Sequence, residues 1–237
     1  LRLVCAPALC LPSVALILVS PEVHPRRVAR LERVLYAGDP LDLLRVSAPM
    51  AAEDDILRIH PATYVADLRK AHPSEGFAQI DGDTFLSPGS LDAAFRGAGA
   101  VLRGVDMVLT GEAQTAFAAI RPPGHHAETS TAMGFCLFGN AALAAKHALD
   151  HHGLSRVAVV DFDVHHGNGT QDLLWDEKRA LLITSQQMPL WPGSGRADEE
   201  GAYGNIRNTP LPEESGGNEM QGASQKQAHP RPPRENT

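Results

Sequence analysis

Residues 157–170 read VAVVDFDVHHGNGT, and this stretch is the most informative about the fold of the 237-residue chain. Its first four residues are apolar, and carboxylates, imidazoles and glycines follow at once. A short apolar run that ends in a polar loop is typical of a buried strand in a parallel sheet. In such sheets ligands bind beyond the carboxyl ends of the strands. The stretch therefore predicts both a strand and a site at its end.

Two other apolar runs end in the same way. Residues 116–120 run into RPPGHH, and residues 181–184 run into SQQMPLWPGSG. Helical periodicity separates these runs; it is strongest over residues 91–109, and residues 25–36, 62–71 and 140–152 also fit helices. Alternation of helices with apolar strands predicts an α/β domain whose parallel sheet is covered by helices on both faces. We expect the three polar loops to converge on one site.

Composition limits the classes of function. Hydrophobic residues make up 43% and charged residues 21% of the chain, as in ordinary globular proteins. The formal net charge of −7 argues against general binding to nucleic-acid backbone, which needs a basic face. We expect no membrane span and no membrane partner, and predict a cytoplasmic protein.

The N-terminal segment and the cysteines fit this prediction. Residues 3–19 are mostly apolar, but Pro7 and Pro12 interrupt them and no clean cleavage site follows. A buried first strand or an artefact of the gene model is the alternative to a signal peptide. Cys5, Cys10 and Cys136 have no CxxC spacing, so we interpret them as reduced thiols.

The DxDxHH run offers metal ligands. Because side chains alternate along extended backbone, Asp161, Asp163 and His165 point in one direction. Asp163 and His165 can then bind one metal ion through a carboxylate oxygen and an imidazole nitrogen, which suits Zn²⁺ or Fe²⁺. Asp161 stays free to orient a neighbouring group. The alternative is an ordinary turn or the N-terminal cap of a helix.

Tandem histidines, His125 and His126, stand on a Pro-Pro-Gly loop. Such a pair suits a general base and a general acid beside a metal-bound water, with a carboxylate orienting the base. Taken alone, two adjacent histidines favour the alternative of an ordinary surface loop. His151 and His152 form another pair at the end of a predicted helix, where the helix dipole favours cationic histidine, and we assign them no chemistry.

Two further segments have open interpretations. Gly134 and Phe135 suit the wall of a narrow apolar channel for a slim acyl chain, and core packing of Phe135 is the alternative. Ser185 and the glycine- and proline-rich residues 192–195 follow the strand predicted at 181–184. They can supply oxygen ligands to a monovalent cation, or they form a simple loop.

The segments RPPGHHAE, MGFCLFGNAALAA, VAVVDFDVHHGNGTQ and ITSQQMPLWPGSG occur in this order. Together they resemble the histone deacetylase superfamily, in particular the bacterial class II-like deacetylases, acetoin utilisation proteins and acetylpolyamine amidohydrolases. The resemblance covers about residues 24–218. It implies an arginase-like α/β fold and zinc-dependent removal of acetyl groups from acetyl-lysine or acetylpolyamine-type substrates. An acetylated small molecule or peptide is the implied partner, and the oligomeric state stays open.

The resemblance also implies roles for individual residues. Zinc would be bound by Asp163 and His165, and the catalytic residues would be His125, His126 and Asp161. The acyl channel would be lined by Gly134 and Phe135. A structural K⁺ would be bound by Asp161, Asp163, the His165 backbone and Ser185. Asn168 stands where some relatives have an aspartate that pairs with the second histidine. We therefore expect the pKa of His126 to differ from that in those relatives.

The sequence departs from the family pattern in its C-terminal part. The third zinc ligand normally lies in a Ser-Ala-Gly-Phe-Asp-type motif and the catalytic tyrosine in a Gly-Gly-Tyr motif, and neither occurs here. From about residue 216 the composition becomes polar without a period. The sequence predicts a partial domain over residues 1–218, from which the C-terminal part is missing through truncation or a frameshift, and a disordered tail over 219–237. We expect impaired catalysis; the alternatives are a non-catalytic remnant and another arginase-fold metallohydrolase.

Overall fold

A computed structural model describes residues 14–18 and 43–228 of the chain. The helix predicted over residues 25–36 lies outside these ranges, as do Cys5 and Cys10. The apolar N-terminal segment contains strand β1, Val14–Leu18, in agreement with the interpretation of a first strand. Within the described residues no helix is long and apolar enough to cross a membrane.

Strands and helices alternate between residues 85 and 187 of the described chain. The remaining strands are β2 (Leu43–Ser47), β3 (Ala78–Gln79), β4 (Phe85–Leu86), β5 (Thr115–Ala119), β6 (Val157–Asp161), β7 (Ala180–Gln187) and β8 (Ile206–Leu211). The helices are α1 (Glu53–Ile56), α2 (Ala62–Ala71), α3 (Ser90–Leu109), α4 (Asn140–Asp150), α5 (Asn168–Leu174) and α6 (Gly217–Ala228). The predicted α/β class is therefore confirmed.

The long strands pair in parallel, as the apolar runs predict. Hydrogen bonds join them in the order β2-β1-β5 and, separately, β6-β7-β8. In the second sheet Asp161, the last residue of β6, pairs with Thr184 of β7. Strands β3 and β4 form a small antiparallel hairpin. Because the strands of each sheet are parallel, the polar residues that follow β6 and β7 start at the same sheet edge.

Helices α3 and α4 connect the two sheets. Helix α3 buries Leu91, Phe95 and Leu102 on one face, packs against β1, β5 and α4, and α4 packs in turn against β6. Gly99 lets α3 approach the segment after β2 closely, because a Cβ atom at this position would overlap the carbonyl oxygen of Pro49. Burying a side chain such as Phe95 stabilises the fold by about 1.5–3 kcal/mol, so this apolar face is a main source of stability.

Helix α6 differs from the disordered tail predicted from residue 219. It runs over Gly217–Ala228 and lies beside β7 and β8. Glu219 accepts a hydrogen bond from the backbone N–H of Gly216 at 2.9 Å, which satisfies one free donor at the start of the helix. Its Ala, Gln, Met and Lys residues favour a helix. The helix was not predicted because apolar residues do not recur at helical spacing in this segment. Residues 229–237 of the predicted tail lie outside the described residues.

Candidate metal and histidine site

The loops after β5, β6 and β7 meet at one edge of the fold. The backbone N–H of Thr170, at the start of α5, donates to the carbonyl oxygen of His125 at 3.1 Å. The N–H of Gln187, at the end of β7, donates to the carbonyl oxygen of Val164 at 2.9 Å. These bonds tie the segment after β6 to its neighbours on both sides, so the three polar loops converge as expected.

His125 is paired with Asp161. Its Nδ1 lies 2.9 Å from Asp161 Oδ2, and both side chains are largely buried. Burial lowers the pKa of His125, but the hydrogen bond and the negative charge of Asp161 outweigh this effect, so its pKa lies above the ordinary value. Burial also raises the pKa of Asp161, but the bond to His125 brings it below its usual range. The pair therefore favours an imidazolium beside a carboxylate.

His126 is held in the opposite way, by an uncharged partner. Its Nδ1 lies 2.8 Å from Asn168 Oδ1, and the amide nitrogen of Asn168 donates to Glu128 Oε1 at 2.7 Å. The bond to Glu128 fixes the amide with its oxygen towards His126, so Nδ1 of His126 is the donor and Nε2 keeps its lone pair. Burial and then the proximity of His125 lower the pKa of His126 to about 4. His126 is therefore neutral at pH 7.

The two histidines share their surroundings with His165. The ring centroids of His125 and His126 are 3.9 Å apart, and those of His126 and His165 are 5.9 Å apart. Trp191 lies edge-on to both His126 and His165, with centroid distances of 4.6 and 6.0 Å. The structure thus brings the tandem histidines and the predicted metal ligands into one cluster under an indole ring.

Asp163 and His165 have the chemistry and spacing of two ligands of one ion. Their side chains are 50% and 41% exposed, and His165 Nδ1 lies 3.2 Å from Asp163 Oδ1. Two ligand atoms on a tetrahedral zinc with bonds of 2.0–2.1 Å are about 3.3 Å apart, so this separation fits zinc with little rearrangement. Within residues 14–18 and 43–228, no third Cys, His, Asp or Glu completes the pair.

Gly134 and Phe135 lie beside this cluster. Gly134 has φ +56°, and a Cβ atom there would overlap Cδ2 of His126 and lie 2.8 Å from Cη2 of Trp191. Phe135 also has a positive φ, and its backbone N–H donates to the hydroxyl of Thr84, next to β4, at 3.0 Å. The Phe135 side chain is 60% exposed. This excludes core packing and places the ring at the surface.

The oxygen atoms predicted to bind a monovalent cation are partly engaged. Asp161 uses Oδ2 for His125, and its Oδ1 accepts the backbone N–H of Asp163 at 3.1 Å. Ser185 is buried on β7, next to the Thr184 that pairs with Asp161. The structure places Ser185 beside the end of β6, on the strand neighbouring the predicted cation ligands.

Three residues of the site had no role in the sequence interpretation. Trp191 covers the histidines and Glu128 fixes the Asn168 amide. His166 is buried, and its Nδ1 lies 2.8 Å from Ser194 Oγ and its Nε2 3.1 Å from Gln171 Oε1. Both ring nitrogens are therefore hydrogen-bonded, and the bond to Ser194 attaches the loop after β7 to this histidine. The position of Glu128 next to the tandem histidines, within RPPGHHAE, could have indicated its role from the sequence. For Trp191 and His166 the sequence indicated only that they lie in polar loops.

The chain is similar to known proteins in both sequence and fold. The model of the histone deacetylase domain matches residues 21–232. The chain belongs to the histone deacetylase family. The crystal structure of the HDA15 HD domain superposes with a TM-score of 0.74 at 30% identity, covering 84% of this chain and 61% of that one. The arginase-like α/β fold implied by the sequence motifs is therefore confirmed.

Two relatives illustrate how this chain compares with other family members. It is 37% identical over 207 residues to a probable deacetylase of Archaeoglobus fulgidus, covering 82% of this chain and 57% of the relative. It is 40% identical over 196 residues to a histone deacetylase-like amidohydrolase of Pseudomonas aeruginosa, covering 81% of this chain and 50% of the relative. The chain thus spans about half the length of the curated relatives that it matches.

Proposed function

We propose that this chain carries the acid-base half of a zinc-dependent deacetylase site that hydrolyses acetyl-lysine or acetylpolyamine-type amides. The observation that carries the proposal is the neutral His126, held by Asn168 beside the Asp163–His165 pair. Its support comes from the family and from the relatives named deacetylase and amidohydrolase.

Asp163 and His165 would hold the zinc ion. Bound there, zinc would polarise the acetyl carbonyl and acidify a water molecule. A catalytic zinc site normally has three protein ligands, and the Ser-Ala-Gly-Phe-Asp-type motif expected to supply the third does not occur among the 237 residues. Two ligands bind more weakly than three, so we infer that the chain retains zinc poorly.

The two histidines have complementary proton chemistry. His126 presents an unprotonated Nε2, which can accept the proton of the attacking water. His125, whose pKa is raised beside Asp161, is suited to donate a proton to the leaving amine or to stabilise negative charge on the substrate oxygen. Two adjacent groups whose pKa values are driven apart are the arrangement that acid-base catalysis needs.

The substrate would approach past Phe135. Its exposed ring and the neighbouring Gly134 and Trp191 form an apolar surface directly beside His126, which suits a slim aliphatic chain carrying the acetyl group. A K⁺ ion bound by Asp161, Asp163, the His165 backbone and Ser185 would fix the loop after β6, since oxygen atoms are the preferred ligands of hard cations.

The direct test is hydrolysis by the 237-residue chain in excess zinc, with an acetyl-lysine peptide and with an N-acetylated polyamine. We expect zinc-dependent release of acetate by this 237-residue polypeptide, slower than that of a relative that has the Gly-Gly-Tyr motif, because that motif would supply an oxyanion donor and these residues do not contain it. Loss of one such donor costs about 10²–10³-fold in rate. Asp163→Ala and His126→Ala should abolish the remaining turnover.

Asp92→Asn, an exposed position on α3, is the matched control and should leave turnover unchanged. The zinc that depends on Asp163 should dissociate on dialysis. Turnover that survives both Asp163→Ala and His126→Ala would contradict the proposed function. Stoichiometric Asp163-dependent zinc after dialysis would contradict the inference of a two-ligand site.

A further inference from the structure

A second cluster of metal-binding side chains lies at the C-terminal ends of α3 and α4. Asp106 stands in the last turn of α3, His147 in the last turn of α4, and His151 and His152 directly after it. These helix ends lead into the starts of β5 and β6, whereas the histidine site lies at the ends of these strands. The cluster is therefore at the opposite edge of the fold from Asp163 and His165.

The four side chains converge on one point. Asp106 Oδ1 lies 2.7 Å from His147 Nε2 and 2.8 Å from His152 Nε2. The His151 ring stacks on the His147 ring at a centroid distance of 4.6 Å and an interplanar angle of 8°. One ligand atom from each residue lies within 4.8 Å of all the others. Ligands on a tetrahedral zinc are about 3.3 Å apart, so an ion would require the Asp106 carboxylate and the two imidazoles to separate slightly. The stacked His151 ring would have to turn so that one of its nitrogens faces the ion.

Hydrogen bonding alone does not complete this cluster. Nδ1 of His147 is buried and has no hydrogen-bond partner. Most buried polar atoms in folded proteins are satisfied, so an unpaired nitrogen on a buried ring of this cluster marks an incomplete set of polar contacts. The His147 ring is therefore not satisfied by hydrogen bonds within the protein, although Nε2 is the atom that faces Asp106 and the rest of the cluster.

The electrostatic surroundings favour a cation. Asp106 contributes a carboxylate, and the C-terminal ends of both helices direct the negative ends of their dipoles towards the cluster. His147 and His151 are four residues apart, which places two imidazoles on one face of the last helical turn. Imidazole nitrogens together with one carboxylate oxygen suit divalent ions such as Zn²⁺, Ni²⁺ and Cu²⁺.

We propose that Asp106, His147, His151 and His152 bind a divalent transition-metal ion, with Zn²⁺ as the ion to test. Four protein ligands make a closed, structural site rather than a catalytic one. The ion would join the C-terminal ends of α3 and α4, the two helices that connect the two parallel sheets. Its role is to stabilise the fold, and it is independent of the proposed deacetylase activity.

The test is a zinc titration of the Asp163→Ala chain, in which the predicted catalytic ligand pair is removed, followed by imidazole ¹H–¹⁵N NMR. We expect one equivalent of Zn²⁺ to shift the resonances of His147, His151 and His152, and EDTA to reverse the shift. Adding His152→Ala or Asp106→Asn should lower zinc affinity by more than about 100-fold, because changes to groups that merely support a ligand already cost about 10–100-fold. Adding Asp92→Asn, an acid at the other end of α3, should leave affinity unchanged.

Thermal unfolding with and without Zn²⁺ provides a second readout, and far-UV circular dichroism checks that each variant folds. Zinc should raise the melting temperature of the Asp163→Ala chain and of its Asp92→Asn variant, but not that of the His152→Ala variant. Resonances of the three histidines that stay unchanged at saturating Zn²⁺ would overturn the proposal. Equal zinc affinity with and without the Asp106→Asn change would do the same.

Discussion

The His125 imidazole and the Asp161 carboxylate lie 2.9 Å apart although 36 residues separate them in the sequence. His125 follows β5 in one three-stranded sheet, and Asp161 ends β6 in the other. The strands of these two sheets are not hydrogen-bonded to each other within the described residues. The pair therefore links the two sheets at the edge where the proposed chemistry takes place, and it couples the local fold to the protonation of His125.

Removing the charge of this pair should lower the pKa of His125. We expect the pKa of His125 to lie above its ordinary value in the wild type and to fall in Asp161→Asn, since an adjacent opposite charge favours the charged imidazole. Titration of the imidazole NMR signals measures the shift, and Asp92→Asn serves as the control. An unchanged His125 titration in Asp161→Asn would show that the carboxylate does not set this pKa.

Adding a charge beside His126 should have the reverse effect. Asn168→Asp replaces the neutral acceptor of Nδ1 by a carboxylate, so the pKa of His126 should rise from about 4 by at least about one unit. The acidic limb of any zinc-dependent hydrolysis by the chain should move to higher pH in parallel, because protonated His126 cannot accept the proton of water. The same NMR titration reads out both variants. A His126 pKa that remains near 4 in the Asn168→Asp variant would count against this pairing.

Gly134 should tolerate no side chain because His126 and Trp191 fill the space around it. We expect Gly134→Ala to destabilise the chain by about 2–5 kcal/mol, from backbone strain at φ +56° and from overpacking together. Gly204→Ala is the matched control, with φ +64° but open space around the new Cβ, and should cost only the strain of about 1–2 kcal/mol. Urea unfolding of both variants measures the difference. Equal losses would mean that the contact with His126 and Trp191 does not constrain this position.

His60 should make stability depend on pH. It is buried, its Nδ1 donates to Thr129 O at 3.0 Å, and its Nε2 accepts from the N–H of Gly139 at 3.0 Å, so the bond from Gly139 requires the neutral ring. Burial lowers its pKa in the folded state, whereas the unfolded chain titrates near 6.5. The stabilisation is therefore complete above about pH 6.5 and is lost as the pH falls from there towards the folded-state pKa.

The variant His60→Gln separates this contribution from those of other groups. It should be less stable than the wild type at pH 7.5, by about 1–3 kcal/mol for the broken hydrogen bonds. The free energy of unfolding of the variant should also fall less than that of the wild type between about pH 7.5 and 5. The slopes of the two free energies against pH should differ by at most about 1.4 kcal/mol per pH unit. Urea unfolding at a series of pH values provides both numbers. Parallel pH curves for the two proteins would refute a role for His60 in the decline.

The strands and the site loops were predictable because their signals are local. An apolar run followed at once by Asp161 and Asp163 defines a strand end, and parallel pairing then brings such ends to one edge. The tandem histidines were ambiguous alone. Their order relative to the DxDxHH run resolved the family, and in the structure the residues implied as their partners, Asp161 and Asn168, lie at hydrogen-bond distance.

What the sequence did not reveal depends on long-range contacts or on weak patterns. Helix α6 has no apolar period, so its position beside β7 and β8 could not be read from composition. For His151 and His152 the sequence indicated only a favourable position at the end of a helix. The contact of His152 with Asp106 was not predictable, because Asp106 lies on α3, 46 residues before His152 in the sequence. His60 bonds to residues 69 and 79 positions away, which no local pattern specifies.

Asp163 and His165 are the proposed zinc ligands beside the tandem histidines. The most direct measurement is a Zn²⁺ titration of the His152→Ala chain, in which the second cluster is disabled, followed by the ¹⁵N resonances of the His165 imidazole. We expect zinc to shift the His165 Nδ1 resonance, Asp163→Ala to abolish the shift, and Asp92→Asn to preserve it. A His165 Nδ1 resonance that does not move at saturating zinc would contradict the claim.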